Sequence, residues 1–166
     1  MSVLPAVLIT LGICVFAAIL EGVCAGSNVK QFFAKLKFPS YAPPLWFWYL
    51  IGIIYYATFS FVIYRILRIP DASLLKQATL ALIIFMMIAN AAWNWIFFRA
   101  QKLFVSFIVV SVFPLFDVVL FLCLLRLDET AAWVLIPYLL YRVYSLWWGY
   151  GMWKMNRDGV IADQIT

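Results

Sequence analysis

The chain has 166 residues, of which 67% are hydrophobic, 19% aromatic and only 11% charged, with a net charge of +5 and a mean hydropathy of +1.03. A soluble domain carries about 25% charged and about 45–50% apolar residues, so a soluble globule, a disordered tail and a disulfide scaffold are excluded, and a multi-pass membrane protein is expected. Histidine is absent, which removes the commonest metal ligand and general base and excludes histidine-ligated haem, most zinc sites and Ser-His-Asp or Cys-His catalysis.

A helix that crosses the hydrocarbon needs roughly 20 apolar residues, because unpaired backbone groups there cost several kcal/mol. Five such runs are predicted, at residues 3–25, 44–64, 77–98, 103–125 and 131–153. The expected fold is therefore an all-α integral membrane protein, a five-transmembrane-helix bundle forming one domain over residues 1–154, with a polar tail at 155–166. The first run carries Glu21 near its end, and the loop at 26–43 carries Lys30, Lys35 and Lys37. Pro43-Pro44 opens the second run, since proline is tolerated in a first helical turn; Arg65, Arg68, Pro70 and Asp71 close it. The turns at 99–102 and 126–130 are short, which makes the third, fourth and fifth helices sequential antiparallel neighbours. Cys14, Cys24 and Cys123 lie within or at the end of apolar runs without CxxC spacing and read as inert thiols.

Lys30, Lys35, Lys37, Arg99, Lys102, Lys154 and Arg157 fall on the C-terminal side of this topology, against Arg65, Arg68, Lys76 and Arg126 on the other. The bias places the C-terminus and the first loop in the cytoplasm. The same scattering of charge argues for membrane orientation and against a nucleic-acid surface.

Three ionisable residues lie inside runs: Glu21, Asp117 and Arg142. A charge at mid-bilayer costs about 2.5–3.5 kcal/mol. Asp117 and Arg142 fall at similar depths, roughly 13–17 Å in, on consecutive antiparallel helices, so an intramembrane ion pair is expected between them. It reads first as a structural clasp and second as a relay. Glu21 is expected to cap loop backbone or to meet a loop lysine.

The aromatic residues are patterned. Asn90, Trp93, Asn94 and Phe97 share one helical face; Trp48, Gly52, Tyr55 and Phe59 share another, and Tyr138, Tyr141, Arg142, Ser145 and Gly149 a third. Amides are costly against lipid, so these stripes face the bundle interior. Trp46, Trp133 and Trp153 suit an interfacial aromatic belt. Trp93 and Trp147 lie deeper, and the stripes together predict a pocket for a large, flat, mostly apolar ligand.

The segment Lys35-Leu-Lys-Phe-Pro39-Ser-Tyr-Ala-Pro43-Pro44-Leu-Trp46 resembles the first-loop signature of the translocator protein family, also called TspO/MBR or tryptophan-rich sensory proteins. Ala89-Asn90-Ala-Ala-Trp93-Asn-Trp-Ile-Phe97-Phe98 is similar to that family's third-helix motif. Pro137-Tyr138-Leu-Leu-Tyr141, with Tyr150 and Trp153-Lys154-Met-Asn156, is similar to its fifth-helix motif. The chain resembles a divergent member: Gly52, Tyr141 and Gly149 stand where the family usually has Trp, Trp and Asn, and Val109 where it usually has Asp.

The resemblance implies a five-helix bundle, often a homodimer in the lipid bilayer, with a cavity under the first loop. It implies ligands among porphyrins, haem and other tetrapyrroles, sterols and aromatic amides. Roles as membrane receptor, transport protein or light-dependent porphyrin-degrading enzyme follow from it; the residues show no nucleophile–base constellation of a conventional enzyme. No cofactor is obligatory and no metal site is expected. A porphyrin or other tetrapyrrole is the leading ligand, held by Trp48, Gly52, Asn90, Trp93, Asn94, Phe97, Tyr138, Tyr141, Ser145, Trp147 and Trp148, with Lys30, Lys35, Lys37, Pro43 and Pro44 at the mouth. The alternatives are a sterol translocator using Leu146, Tyr150 and Lys154, a pattern of low specificity, and a proton-coupled transporter using Glu21 or Asp117 and Arg142.

Overall fold

The computed structural model describes residues 1–70 and 72–162; Asp71 and the last four residues of the expected polar tail lie outside them. The chain folds as α1 (Val3–Ala25), α2 (Val29–Lys35), α3 (Leu45–Arg68), α4 (Leu74–Asn94), α5 (Leu103–Leu127) and α6 (Glu129–Ala162), with a π-helical turn, Trp95–Arg99, between α4 and α5. Helices are the form in which an apolar segment satisfies its own backbone in hydrocarbon. The protein is an all-α, multi-pass membrane protein: α1, α3, α4 with its π turn, and α5 are long and apolar enough to cross a bilayer. The run expected as a fifth span lies in α6 and falls short of that mark, because Arg142 and a series of tyrosines and tryptophans dilute its aliphatic residues. Outward faces carry mainly leucine, isoleucine, valine and phenylalanine, with tryptophan and tyrosine also exposed on α3 and α6.

Several boundaries differ from those expected: α3 runs on to Arg68, α4 begins at Leu74 and α5 runs on to Leu127. The first loop contains α2, whose Phe32 and Phe33 are buried. Pro44 is the residue before α3 rather than inside it. Helix α6 runs on well past residue 153, so the segment expected as a polar tail begins as helix.

The long helices form a ring in the order α1, α3, α6, α5, α4, which closes by α4 returning to α1. The end of the ring at the N-terminus is solid. There Phe59, Val62, Ile63 and Ile66 of α3, Ile83 and Met86 of α4, Leu120 and Leu124 of α5, and Leu135 of α6 are all but fully buried. A bidentate ion pair ties this end together. Arg65 donates from Nε to Asp128 Oδ2 at 2.7 Å and from Nη2 to Oδ1 at 3.0 Å, while Asp128 also caps α6 by accepting from the Ala131 N–H. At the opposite end α1 stops at Gly26, whose φ of 75° favours glycine, and the chain turns into the α2 segment that roofs the bundle.

Candidate functional site

Beneath the α2 segment the ring is hollow. The cavity measures about 370 Å³, within the roughly 300–1,000 Å³ of small-molecule sites, and every helix supplies part of its wall. Trp48, Gly52, Asn90, Trp93, Asn94, Phe97, Tyr138, Tyr141 and Ser145, expected from their helical faces, all line it, as does Trp148. So do Glu21, Phe33, Phe98, Ser106, Phe113 and Arg142.

The roof is held by aromatic packing and hydrogen bonds. Phe33 stacks on Phe98 at 5.8 Å, and Phe32 meets Phe97 edge-on at 5.5 Å. The π turn brings both phenylalanines to this contact; its Ala100 N–H reaches back to the Trp95 carbonyl at 2.9 Å. Such turns add a residue to the helical repeat and recur at functional sites. On the other side the Asn156 side chain pairs with the Lys37 backbone in both directions, accepting its N–H and donating to its carbonyl, each at 2.9 Å. Tyr144 donates to the Tyr41 carbonyl at 3.1 Å, and Tyr41 donates to the Trp147 carbonyl at 3.2 Å.

Several expected site residues stand elsewhere. Trp147 is outside the cavity: its ring stacks on Tyr41 at 3.8 Å and is 55% exposed. Consecutive helix positions are about 100° apart, so when Trp148 faces inward Trp147 cannot. Lys30, Lys35 and Lys37 are exposed on the roof's outer side, and Pro43 and Pro44 lie in the connection to α3; none of these lines the cavity. Tyr150 packs on Phe107 and Trp153, with the Lys154 ammonium 5.7 Å from its ring centre. With Leu146 these residues of the sterol-type pattern lie outside the cavity lining.

The polar groups of the wall are largely committed to one another. Among the described residues Glu21 meets an α4 amide rather than loop backbone or a lysine: its Oε1 accepts from Asn90 Nδ2 at 2.7 Å. Asn94 Nδ2 donates back to the Asn90 carbonyl at 3.0 Å, and Trp93 Nε1 donates to the Ser106 carbonyl at 3.2 Å. Asp117 Oδ2 accepts from Arg142 Nε at 3.0 Å, both side chains being buried. Among the described residues, the indole N–H groups of Trp48 and Trp148 are buried without a partner, with their rings 4.5 Å apart. The roof aromatics escaped the sequence reading, although Phe32-Phe33 in an otherwise lysine-bearing loop was a signal for them.

This geometry can enclose a flat apolar molecule among aromatic side chains. Compared with known proteins, residues 10–154 match the TspO/MBR family, and no curated protein matches the chain. Because that match runs from within α1 to the far part of α6 and takes in every wall of the cavity, the chain belongs to the TspO/MBR family.

Proposed function

We propose that the protein is a membrane receptor or carrier that binds a planar, mostly apolar ligand, a porphyrin or other tetrapyrrole, in the cavity beneath α2. The observation that carries this reading is the cavity of about 370 Å³ walled largely by aromatic side chains, among them Trp48, Trp93, Phe97, Tyr138 and Trp148. Tryptophan and phenylalanine faces stack on the macrocycle, while the exposed Lys30, Lys35 and Lys37 attract its propionates from outside the roof. With no histidine to bind iron axially, a metal-free macrocycle suits the site as well as haem. In this reading α6 completes a five-span topology with the C-terminus in the cytoplasm, the side richer in lysine and arginine.

Titration of the protein in lipid nanodiscs with protoporphyrin tests the reading. The expected result is saturable quenching of tryptophan emission, with Trp148→Phe weakening binding and Trp147→Phe leaving the affinity within about twofold. Non-saturable quenching, or equal loss in both variants, overturns it.

A further inference from the structure

The described cavity lining carries two charged residues, Glu21 and Arg142. Arg142 is answered within the protein: Asp117 holds its Nε at 3.0 Å, and both side chains are buried. Glu21 is placed differently. It is partly exposed on the wall where α1 packs against α4, and its polar neighbours are neutral. Asn90 Nδ2 donates to its Oε1 at 2.7 Å, and the Tyr56 hydroxyl lies beside it. The ion pairs Arg65–Asp128 and Arg142–Asp117 do not involve it.

With Arg142 offset by Asp117, the Glu21 carboxylate is the charge left over on this wall. Neutral amide and hydroxyl donors steady a carboxylate without cancelling its charge, and an unanswered charge at low dielectric is costly. A ligand cation seated against Glu21 removes that cost, whereas a ligand carboxylate there would add to it. The neighbouring rings suit a cation as well. Trp93 follows Asn90 by three residues and so shares its face of α4, and indole faces attract ammonium groups. Glu21 stands five residues before Gly26, where α1 ends, about 7.5 Å of helix rise below the roof. The charged end of such a ligand therefore lies against the α1–α4 wall, and its flat body fills the aromatic space beside Trp48 and Trp148.

We infer that Glu21 is a specificity-determining residue that accepts an N–H from a protonated amine, so that the cavity takes flat aromatic cations as a second class of ligand. This rests on the reading of the cavity as a ligand site, and it adds a charge preference at one named wall.

The test uses 2-naphthylmethylamine, which is protonated at neutral pH, and 2-naphthalenemethanol, a neutral probe of the same shape. Binding to the full-length protein in nanodiscs of zwitterionic lipid is measured by equilibrium dialysis, with empty nanodiscs as the background. The amine is expected to bind about tenfold more tightly, the value of one charge-assisted hydrogen bond. Glu21→Gln keeps the shape of the side chain and an oxygen for Asn90 but removes the charge, and the ratio of the two affinities is expected to fall to about one. Should that variant fail to fold, the wild type decides. Carbon–nitrogen dipolar dephasing is expected between carboxyl-¹³C glutamate and the ¹⁵N-labelled amine. The chain has two glutamates, Glu21 and Glu129, and Glu129 opens α6 at the opposite end of the bundle, where it accepts from Trp133 Nε1. No preference for the amine, a ratio that survives Glu21→Gln, or absent dephasing overturns the inference. Amine preference without protoporphyrin quenching removes the tetrapyrrole reading and leaves this one standing. Quenching without amine preference does the reverse, and failure of both naphthalenes and protoporphyrin to bind removes both.

Discussion

Glycines at three points of the wall and its surroundings play different roles, and the space beside each decides which. A Cβ built on Gly52 meets nothing within 4 Å, whereas one on Gly149 meets Val110 Cγ1 at 3.2 Å and one on Gly151 runs into the Tyr41 hydroxyl. Gly52 is therefore a gap in the cavity wall, and Gly151 is a close approach between α6 and the roof segment. Gly52→Leu is expected to place its side chain in the ligand's space and to weaken protoporphyrin binding about tenfold, the lower end of an overpacking cost of about 1–3 kcal/mol. Its melting temperature should stay within about 3 °C of wild type, because the added Cβ meets nothing within 4 Å and the adjoining space is cavity. Gly151→Ala should do the opposite, lowering the melting temperature through the Tyr41 clash. Parallel melting curves and porphyrin titrations check the pair; a cold-shifted Gly52→Leu with unchanged affinity would show that the gap does not belong to the binding site.

At the scale of elements, the junction between α5 and α6 carries a pH dependence. Partial burial of Asp128 works to raise its pKa, but hydrogen bonds from Arg65 and the Ala131 N–H outweigh this and hold the carboxyl below the usual aspartate range. A depressed carboxylate contributes stability that is fully present above its unfolded value of about 3.9 and is lost as pH falls through the lower folded value. Asp128→Ala should cost about 1 kcal/mol at pH 7, chiefly the helix cap, since Arg65 is half-exposed and solvent screens the pair. The deficit should shrink as pH drops below about 4, where wild type loses the same carboxylate. Melting in nanodiscs between pH 3 and pH 7 measures this; a deficit independent of pH would assign the effect to packing. Element ends were legible in the sequence where hydropathy alone decides them: α1 spans the expected residues. They were not where packing decides. Phe32 and Phe33 draw a helix out of a polar loop, the π turn answers a local demand on Phe97 and Phe98, and α6 continues because Asn156 has the Lys37 backbone to bind. The helical stripes placed most of the cavity wall, and depth on consecutive helices put Asp117 beside Arg142, because a charge in hydrocarbon has few alternatives. Glu21 was misassigned for the converse reason: its partner Asn90 lies on α4, and the adjacency of α1 to α4 in the ring leaves no mark in the sequence.

The whole molecule is a ring closed by aliphatic packing at one end and roofed by an aromatic segment at the other, so its two ends should differ in stability. The solid end cannot open without exposing Phe59, Ile63, Ile83 and Leu124, whereas the roof rests on Phe32, Phe33 and a few hydrogen bonds across to α6. Among these the Asn156–Lys37 pairing joins residues 119 positions apart and uses both backbone groups of Lys37. Each bond contributes about 0.5–1.5 kcal/mol, so Asn156→Ala should raise the open population of the roof about tenfold or more. Amide exchange across residues 29–45 should accelerate by that factor, and porphyrin association and dissociation should both quicken, because entry and exit share the opening step. Protection in the core of α3 and α5 near Ile63 and Leu120 should not change, since sub-global openings occur in separate cooperative units. Exchange by mass spectrometry, with stopped-flow quenching on the same variant, measures the two together. If protection instead falls equally at both ends, the roof does not open as a unit, and ligand access must come from separation of the long helices themselves.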